Sequence, residues 1–350
     1  EQEQQLAQTF GCVRFVYNWA LRLRSDAWYN DKKRLGYHES SSALTALKKN
    51  PDYSWLNDIS CVPTQQTLRH LQTSFKNFWD GRAKYPTFKK KRSAQSAEYT
   101  RSAFKWNNSQ LTLAKHKEPL NIRWSRDIPD KPTTVTVSMD SAGRYFVSLL
   151  CSTDVETLPV SPNSVGVDLG IKDTTITSDG WKSGNPKYTA RYEQKLAKYQ
   201  RRLSKKKKGS ANFQKAKLKV ARVHAKISDS RKDFQHKLTT KLIHENQIIS
   251  LESLQVKNMV NNPKLAKAIS DAGWAELVRQ IEYKADWYGR TVVNIDKWYP
   301  SSKRCSCCGY TLERLDLCVR SWECPECDTK HDRDTNAALN IKAAGQAVLA

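Results

Sequence analysis

The sequence predicts a multidomain α+β protein that is helical at its start, strand-rich in its middle and α/β beyond about residue 160. Apolar residues recur at helix spacing through the first eighty positions, segments with a period of two follow, and strands then alternate with helices. A chain of 350 residues is long enough for two or three such domains, each with its own core.

From residue 5 to about 81 the helical pattern rests on Val13, Val16, Tyr17, Ala20 and Leu21, and later on Leu68, Leu71, Phe75 and Phe78. Ser41 and Thr64 are the expected N-caps and Gly81 the expected stop. After the basic stretch Lys84 to Arg92, β-type segments cover 110–114, 133–139 and 144–151, the last two joined by a turn at Asp140-Ser-Ala-Gly143. Residues 157–163 read as a linker. Beyond it come two strands in 164–178 and a helical hairpin over 188–245 that breaks at the lysine run Lys205–Lys208. Phe213, Ala216, Val220, Val223, Ile227, Phe234, Leu238 and Leu242 form the apolar stripe of its second arm. A strand at 248–254, a helix over 263–288 and a strand at 290–295 complete the α/β part.

A formal charge of +24 and a pI near 9.6 would repel themselves in a compact state without a polyanion, so nucleic acid is the expected partner. The basic residues are spread along the whole chain instead of gathering on one amphipathic helix, which disfavours a membrane surface. The first ten residues lack a basic-then-apolar signal pattern, and no apolar run is long enough to cross a bilayer. Six of the nine cysteines lie between Cys305 and Cys327; an odd total with one tight cluster indicates a metal site in a reducing cytoplasm, not a disulfide framework.

Three carboxylates stand where a bare charge is awkward. In Val165-Gly-Val-Asp168-Leu-Gly-Ile171, a period of two sets the aliphatic residues on one face and Asp168 on the other, between Gly166 and Gly170. Those glycines are expected to leave Asp168 in open space that ions and a phosphate backbone could enter. Glu252 interrupts an otherwise apolar strand beside the small Ser250. Asp334 shares a helix face with Ala337, Ala338 and Ile341, the face expected to pack on the sheet, whereas Asp332 suits the helix dipole. Taken singly, a turn-side aspartate, a strand-end glutamate and a first-turn helix acid describe them equally well. Together they could hold two divalent cations, and oxygen ligands favour Mg²⁺ or Mn²⁺.

Cys305-x₂-Cys308 and Cys324-x₂-Cys327 have the spacing of a four-thiolate zinc site, with Gly309 suited to the knuckle turn and Pro325 stiffening the second pair. Such a site staples a small insert that lacks a core of its own. Cys307 competes as a ligand at poorer spacing, and His38, His116 and His331 show no paired ligand spacing. Lys89–Arg92 and Lys205–Lys208 are expected as solvated basic loops. Trp19, Trp28, Trp55, Trp79, Trp106 and Trp124 could stack on bases, but core positions are expected for most of them.

These residues resemble the TnpB family, the transposon-encoded OrfB proteins ancestral to type V CRISPR effectors. The likeness runs nearly end to end, through Gly11-Cys-Val-Arg-Phe-Val-Tyr-Asn, Pro86-Thr-Phe-Lys-Lys-Lys, Gly166-Val-Asp-Leu-Gly-Ile-Lys-Asp, Leu251-Glu-Ser-Leu, Ser301-Ser-Lys-Arg-Cys-Ser-Cys-Cys-Gly and His331-Asp-Arg-Asp-Thr-Asn-Ala-Ala. It implies a helical recognition lobe over 1–95 inserted in a wedge β-barrel, which continues over 96–160 and whose first strand would precede residue 1. It further implies an RNase H-like RuvC domain over 161–304, a zinc ribbon insert over 305–330 and a final RuvC helix over 331–350. By the same resemblance Asp168, Glu252 and Asp334 are the RuvC triad on Mg²⁺, and Cys305, Cys308, Cys324 and Cys327 bind structural Zn²⁺. The implied partners are a guide RNA from the transposon end and double-stranded target DNA, cut beside a short motif, with base pairing supplying the sequence. Three alternatives compete: a compact type V CRISPR effector, a DDE-type transposase and a zinc-ribbon regulator without catalysis.

Overall fold

The computed structural model describes every residue except 108 and 317, and the chain divides into two compact units, Glu1–Asp154 and Val155–Ala350.

The first unit opens with α1 (Gln2–Asp31), α2 (Tyr37–Leu47), a 3₁₀ turn at Pro51–Asn57 and α3 (Cys61–Trp79). Strands β1 (Gln95–Thr100), β2 (Phe104–Asn107), β3 (Gln110–Leu113), β4 (Thr134–Met139) and β5 (Tyr145–Leu150) follow. β1, β4 and β5 make an antiparallel sheet, while β2 and β3 pair separately. At 30 residues α1 is about 45 Å long, enough to serve two cores. Its early residues Leu6, Phe10 and Val13 bury against Tyr99, Leu111, Leu113 and Val135 of the strands. Its later residues Val16, Ala20 and Leu21 bury against Leu44, Leu56, Leu68 and Leu71 of the helices.

The N-caps are Gly36 and Ser60, not Ser41 and Thr64. Pro63 sits in the first turn of α3, where a missing N–H costs nothing, so the helix starts before it. Ser60 Oγ accepts from the Val62 amide, and Thr64 Oγ donates back to the Cys61 carbonyl. β1 and β2 were not anticipated. The inward positions of β1 include Gln95 and Ala97, which conceal the apolar alternation; Gln95 is accommodated by accepting from Arg14 (2.9 Å) and donating to the Ser93 carbonyl (2.7 Å). None of the six early tryptophans is fully buried, and Trp28, Trp55 and Trp79 are exposed. The basic stretch is not simply solvated either, because Asn18 brackets the backbone of Lys89 with two hydrogen bonds and the Lys89 ammonium lies over the Tyr17 ring.

The second unit contains β6 (Ser164–Asp168), β7 (Ile176–Thr177), α4 (Tyr188–Ser204), α5 (Ala211–Glu245), β8 (Ile248–Glu252), α6 (Val256–Met259), α7 (Ala266–Ala272), α8 (Trp274–Tyr288), β9 (Thr291–Ile295), β10 (Ser321–Glu323), β11 (Lys330–Asp332) and α9 (Arg333–Leu349). The sheet order is β7-β6-β8-β9, with β6, β8 and β9 parallel and β7 antiparallel at the edge. Val165, Val167, Ile249 and Leu251 bury against Leu238, Leu242, Leu277 and Ile281 of α5 and α8. The opposite face receives α9. The α4–α5 hairpin buries only part of its second arm, through Val223, Ile227, Leu238 and Leu242, and α4 buries no residue fully. Gly273, with φ of 67°, splits the helix expected over 263–288 into α7 and α8; Gln235 Nε2 donates to its carbonyl at 3.0 Å, in the space a Cβ would need.

Candidate active site and metal centre

Each of the three acids ends or begins an element. Asp168 is the last residue of β6 and Glu252 the last of β8. The two strands are parallel neighbours with Val167 opposite Leu251, so the carboxylates emerge one step further along, at the carboxyl edge where open α/β sheets bind ligands. Asp334 lies in the first turn of α9. Burial, then the charges of Glu252 and Asp334, push the Asp168 carboxyl up to about 7. Burial raises the Glu252 carboxyl as well.

The small residues beside the acids have a different role from the one expected. Gly166 does not open space for ions, because α9 lies directly on it: a Cβ would collide with the Ala338 carbonyl and lie 2.5 Å from the Lys342 amide nitrogen. Ser250 faces α9 in the same way, and a Cβ on Gly345 would lie 2.6 Å from Ser250 Cβ. The seat formed by Gly166 and Ser250 lets α9 approach the sheet, with Ala337, Ala338 and Ile341 buried as expected. Asp332 takes the capping role, its carboxylate accepting from the Thr335 amide at 3.0 Å and pairing with Lys182 at 2.8 Å.

Cys305, Cys308, Cys324 and Cys327 offer sulfur atoms that all lie within 4.8 Å of one another, the one set of three or more metal-ligand side chains so tightly gathered among the described residues. Its Sγ separations include 3.7 Å for Cys305 to Cys327 and 3.6 Å for Cys308 to Cys324. A tetrahedral site with zinc–sulfur bonds of about 2.3 Å has sulfur–sulfur edges of about 3.8 Å, so the four thiols fit zinc. Gly309, with φ of 82°, closes the first knuckle by its amide on the Cys305 carbonyl; Asp328, with φ of 54°, closes the second on Cys324. Cys307 is exposed and stands outside the set.

Residues that the spacing arguments passed over connect the two centres. Asn336 Nδ2 donates to the Arg304 carbonyl (2.7 Å) and its Oδ1 accepts from the Ser306 amide (3.0 Å). Asn340 donates to the carbonyls of Ser301 and Arg304. Two buried side amides of α9 thus grip the backbone beside Cys305, and the knuckle and Asp334 share one scaffold. His331, no ligand by spacing, contacts Cys305 Sγ through Nε2 at 3.0 Å, as an outer partner of a metal thiolate does. Arg320 lies 3.6 Å from the Asp334 carboxylate. The signal available in the sequence was the pair of asparagines on the same α9 stripe as Ala337 and Ile341, polar residues at core positions.

A family profile described as "Probable transposase" matches residues 120–263, one described as "Cas12f1-like, TNB domain" matches 274–341, and a helix-turn-helix profile of the same family matches 1–33, a stretch that is almost wholly the single helix α1 here. The chain is 55% identical to a Streptomyces pristinaespiralis protein whose name describes an RNA-guided DNA endonuclease, over 100% of this chain and 88% of the relative. It is 34% identical to the Escherichia coli protein InsQ, named in the same terms, over 100% and 90% of the two chains. A solved Cas12f1, in a complex with sgRNA and target DNA, superposes with a TM-score of 0.58 over 98% of this chain and 83% of that one at 15% identity, a likeness of fold. The chain belongs to the TnpB family.

Proposed function

We propose that this protein is a transposon-encoded, RNA-guided DNA endonuclease that cuts target DNA beside a short duplex motif, with Asp168, Glu252 and Asp334 as its RuvC triad. The observation that carries the reading is the placement of Asp168 and Glu252 side by side at the carboxyl edge of a parallel sheet, with Asp334 near enough that its charge, after burial and Glu252, helps push the Asp168 carboxyl up to about 7. An excess of negative charge held in a half-buried site calls for cations, and an all-oxygen donor set suits Mg²⁺ or Mn²⁺. Bound divalent cations would supply polarisation of the scissile phosphate and activation of a water. The protein's own part is positional. β6 and β8 hold two carboxylates side by side, α9 brings the third, and Asn336 and Asn340 fasten α9 to the zinc knuckle. Arg320 offers a guanidinium beside the Asp334 carboxylate, where a phosphate strand would arrive.

The guide RNA, taken to derive from the transposon end, and the DNA duplex match the charge of +24; the names of the relatives and the partners of the Cas12f1 neighbour support them. On this reading α1 to α3 form the recognition lobe, β1 to β5 the wedge barrel, the sheet β7-β6-β8-β9 the RuvC domain and the segment 305–330 the zinc ribbon insert. The test is to purify the protein without nuclease treatment, sequence the RNA it carries, and supply duplex DNA complementary to that RNA with Mg²⁺. Cleavage at the matched site is expected. Cutting that ignores the RNA sequence, or joining of strands, would overturn the proposal.

A further inference from the structure

At the far end of the helical layer, the C-termini of α1 and α3 build a concave site walled by aromatic rings and cations. It is lined by Arg24, Trp28, Lys33, Arg34, Phe78, Trp79 and Tyr85 among others, encloses about 280 Å³, and has no carboxylate in its lining. The helix ends create it. At the end of α1, Lys32 adopts φ of 54° and the Lys33 amide turns back to the Ala27 carbonyl, a turn that leaves Lys32 (6.0 Å) and Arg34 (5.4 Å) over the Trp28 ring and Lys33 in the wall of the site. At the end of α3, Gly81 takes φ of 69° and the amides of Arg82 and Ala83 both return to the Asn77 carbonyl. That turn brings Tyr85 back edge-on to Phe75 (5.5 Å) and Phe78 (5.3 Å), and a 2.8 Å hydrogen bond between the hydroxyls of Tyr85 and Ser25 ties it to α1.

The rings are held and partly exposed, with the flexible Arg34 guanidinium lying over both Trp28 (5.4 Å) and Trp79 (6.0 Å). Trp28 is 41% exposed, Trp79 51% and Tyr85 39%, while the Arg24 beneath them is buried with its guanidinium 4.1 Å over Phe75 and donating to Gln72. An apolar partner alone would gain nothing from the cations Lys33 and Arg34 beside the rings, and a bare phosphate would not need three exposed rings. An unpaired base on its phosphate backbone uses both, by stacking on the rings and pairing its charge with the cations.

We infer that this pocket captures a single unpaired nucleobase of a nucleic-acid strand, stacked against Trp28, Trp79 and Tyr85 with its adjoining phosphate on Lys33 and Arg34. The inference rests on the proposed function only in taking nucleic acid as the partner; the pocket is remote in sequence from the carboxylates and does not require cleavage.

The test uses the full-length protein and short oligonucleotide probes, one of RNA and one of DNA, each with a central 5-iodouracil and each also made with an abasic site there. Photocrosslinking followed by peptide mapping is expected to label Trp28, Trp79 or Tyr85. Trp28→Ala and Trp79→Ala, exposed enough to spare the core, should weaken the base-containing probe about tenfold at an unchanged melting temperature and leave the abasic probe unaffected; Trp79→Phe should restore most of the loss. Preference for one backbone would identify whether the strand is RNA or DNA. Crosslinks confined to other peptides, equal losses for base-containing and abasic probes, or a tryptophan variant that alters self-association but not probe binding would each overturn the inference. Guided cleavage is scored separately, so a pocket that fails while cleavage survives refutes this inference alone, and a pocket that binds bases in a protein that does not cleave refutes the other.

Discussion

Gly345 of α9 crosses Ser250 of β8 so closely that even a methyl group at 345 would overlap the serine side chain. This crossing, with that of Ala338 over Gly166, sets how near α9 lies to the strands and therefore where Asp334 stands relative to Asp168 and Glu252. Gly345→Ala should destabilise the protein by about 1 to 3 kcal/mol, the usual penalty of overpacking. Because the obstruction is a side chain, Ser250→Gly in the same chain should recover part of the loss. Gly166→Ala meets backbone instead and should have no such remedy. Denaturant melts of the three variants check this; additive losses for the Gly345→Ala, Ser250→Gly pair would contradict it.

Asp168→Ala should abolish metal-dependent DNA cleavage while RNA and DNA binding persist. Removing a carboxyl crowded by two others should not lower the stability of the metal-free protein. Cleavage assays beside filter binding and thermal melts separate the two effects, and residual cleavage near the parent rate would remove Asp168 from the reaction.

The pH response follows from the raised Asp168 carboxyl, at about 7 when folded and near the ordinary aspartate value of 3.8 when unfolded. Between those values the folded state binds the extra proton, so the stability of the metal-free protein should fall as pH rises from about 4 to 7. Mn²⁺ affinity should move the opposite way, strengthening as the carboxyl ionises, with proton release on binding. Calorimetric titration in buffers of differing ionisation enthalpy measures that release; affinity independent of pH across this window would contradict the assignment.

Stripping the four-cysteine centre with a chelator, or Cys324→Ser, should unfold the knuckle and, through Asn336 and Asn340, loosen α9 as well. Cleavage should then fall even though none of the cysteines is one of the three acids. Asn336→Ala is the milder form: zinc content should stay at one ion per chain while the cleavage rate drops about tenfold, since two hydrogen bonds from a buried side chain to half-buried backbone are lost. Metal analysis alongside kinetics distinguishes the two variants.

Much of this architecture was legible in the residues. The period of two around Asp168 and the stripe along α5 describe burial that a single element carries in its own sequence, and the structure places Val167 and Leu242 in one core. The cysteine spacing likewise predicts its cluster, since each pair closes within one tight turn. The N-caps of α2 and α3 were less legible, because Glu39 at Gly36 and Pro63 behind Ser60 outweigh the hydroxyls at 41 and 64. β1 was hidden because its inward glutamine is satisfied by Arg14, a residue of another element.

By itself, the sequence determined which residues could carry charge, thiolate or apolar surface, because those properties belong to single side chains and to periods of a few residues. Only the tertiary structure decided why Gly166 and Ser250 are small, that two asparagines join α9 to the knuckle, and that two helix ends meet around Trp28 and Trp79. Each of these is a close approach between segments distant along the chain. Close packing is set by the shapes of both partners at once, which no local repeat can encode.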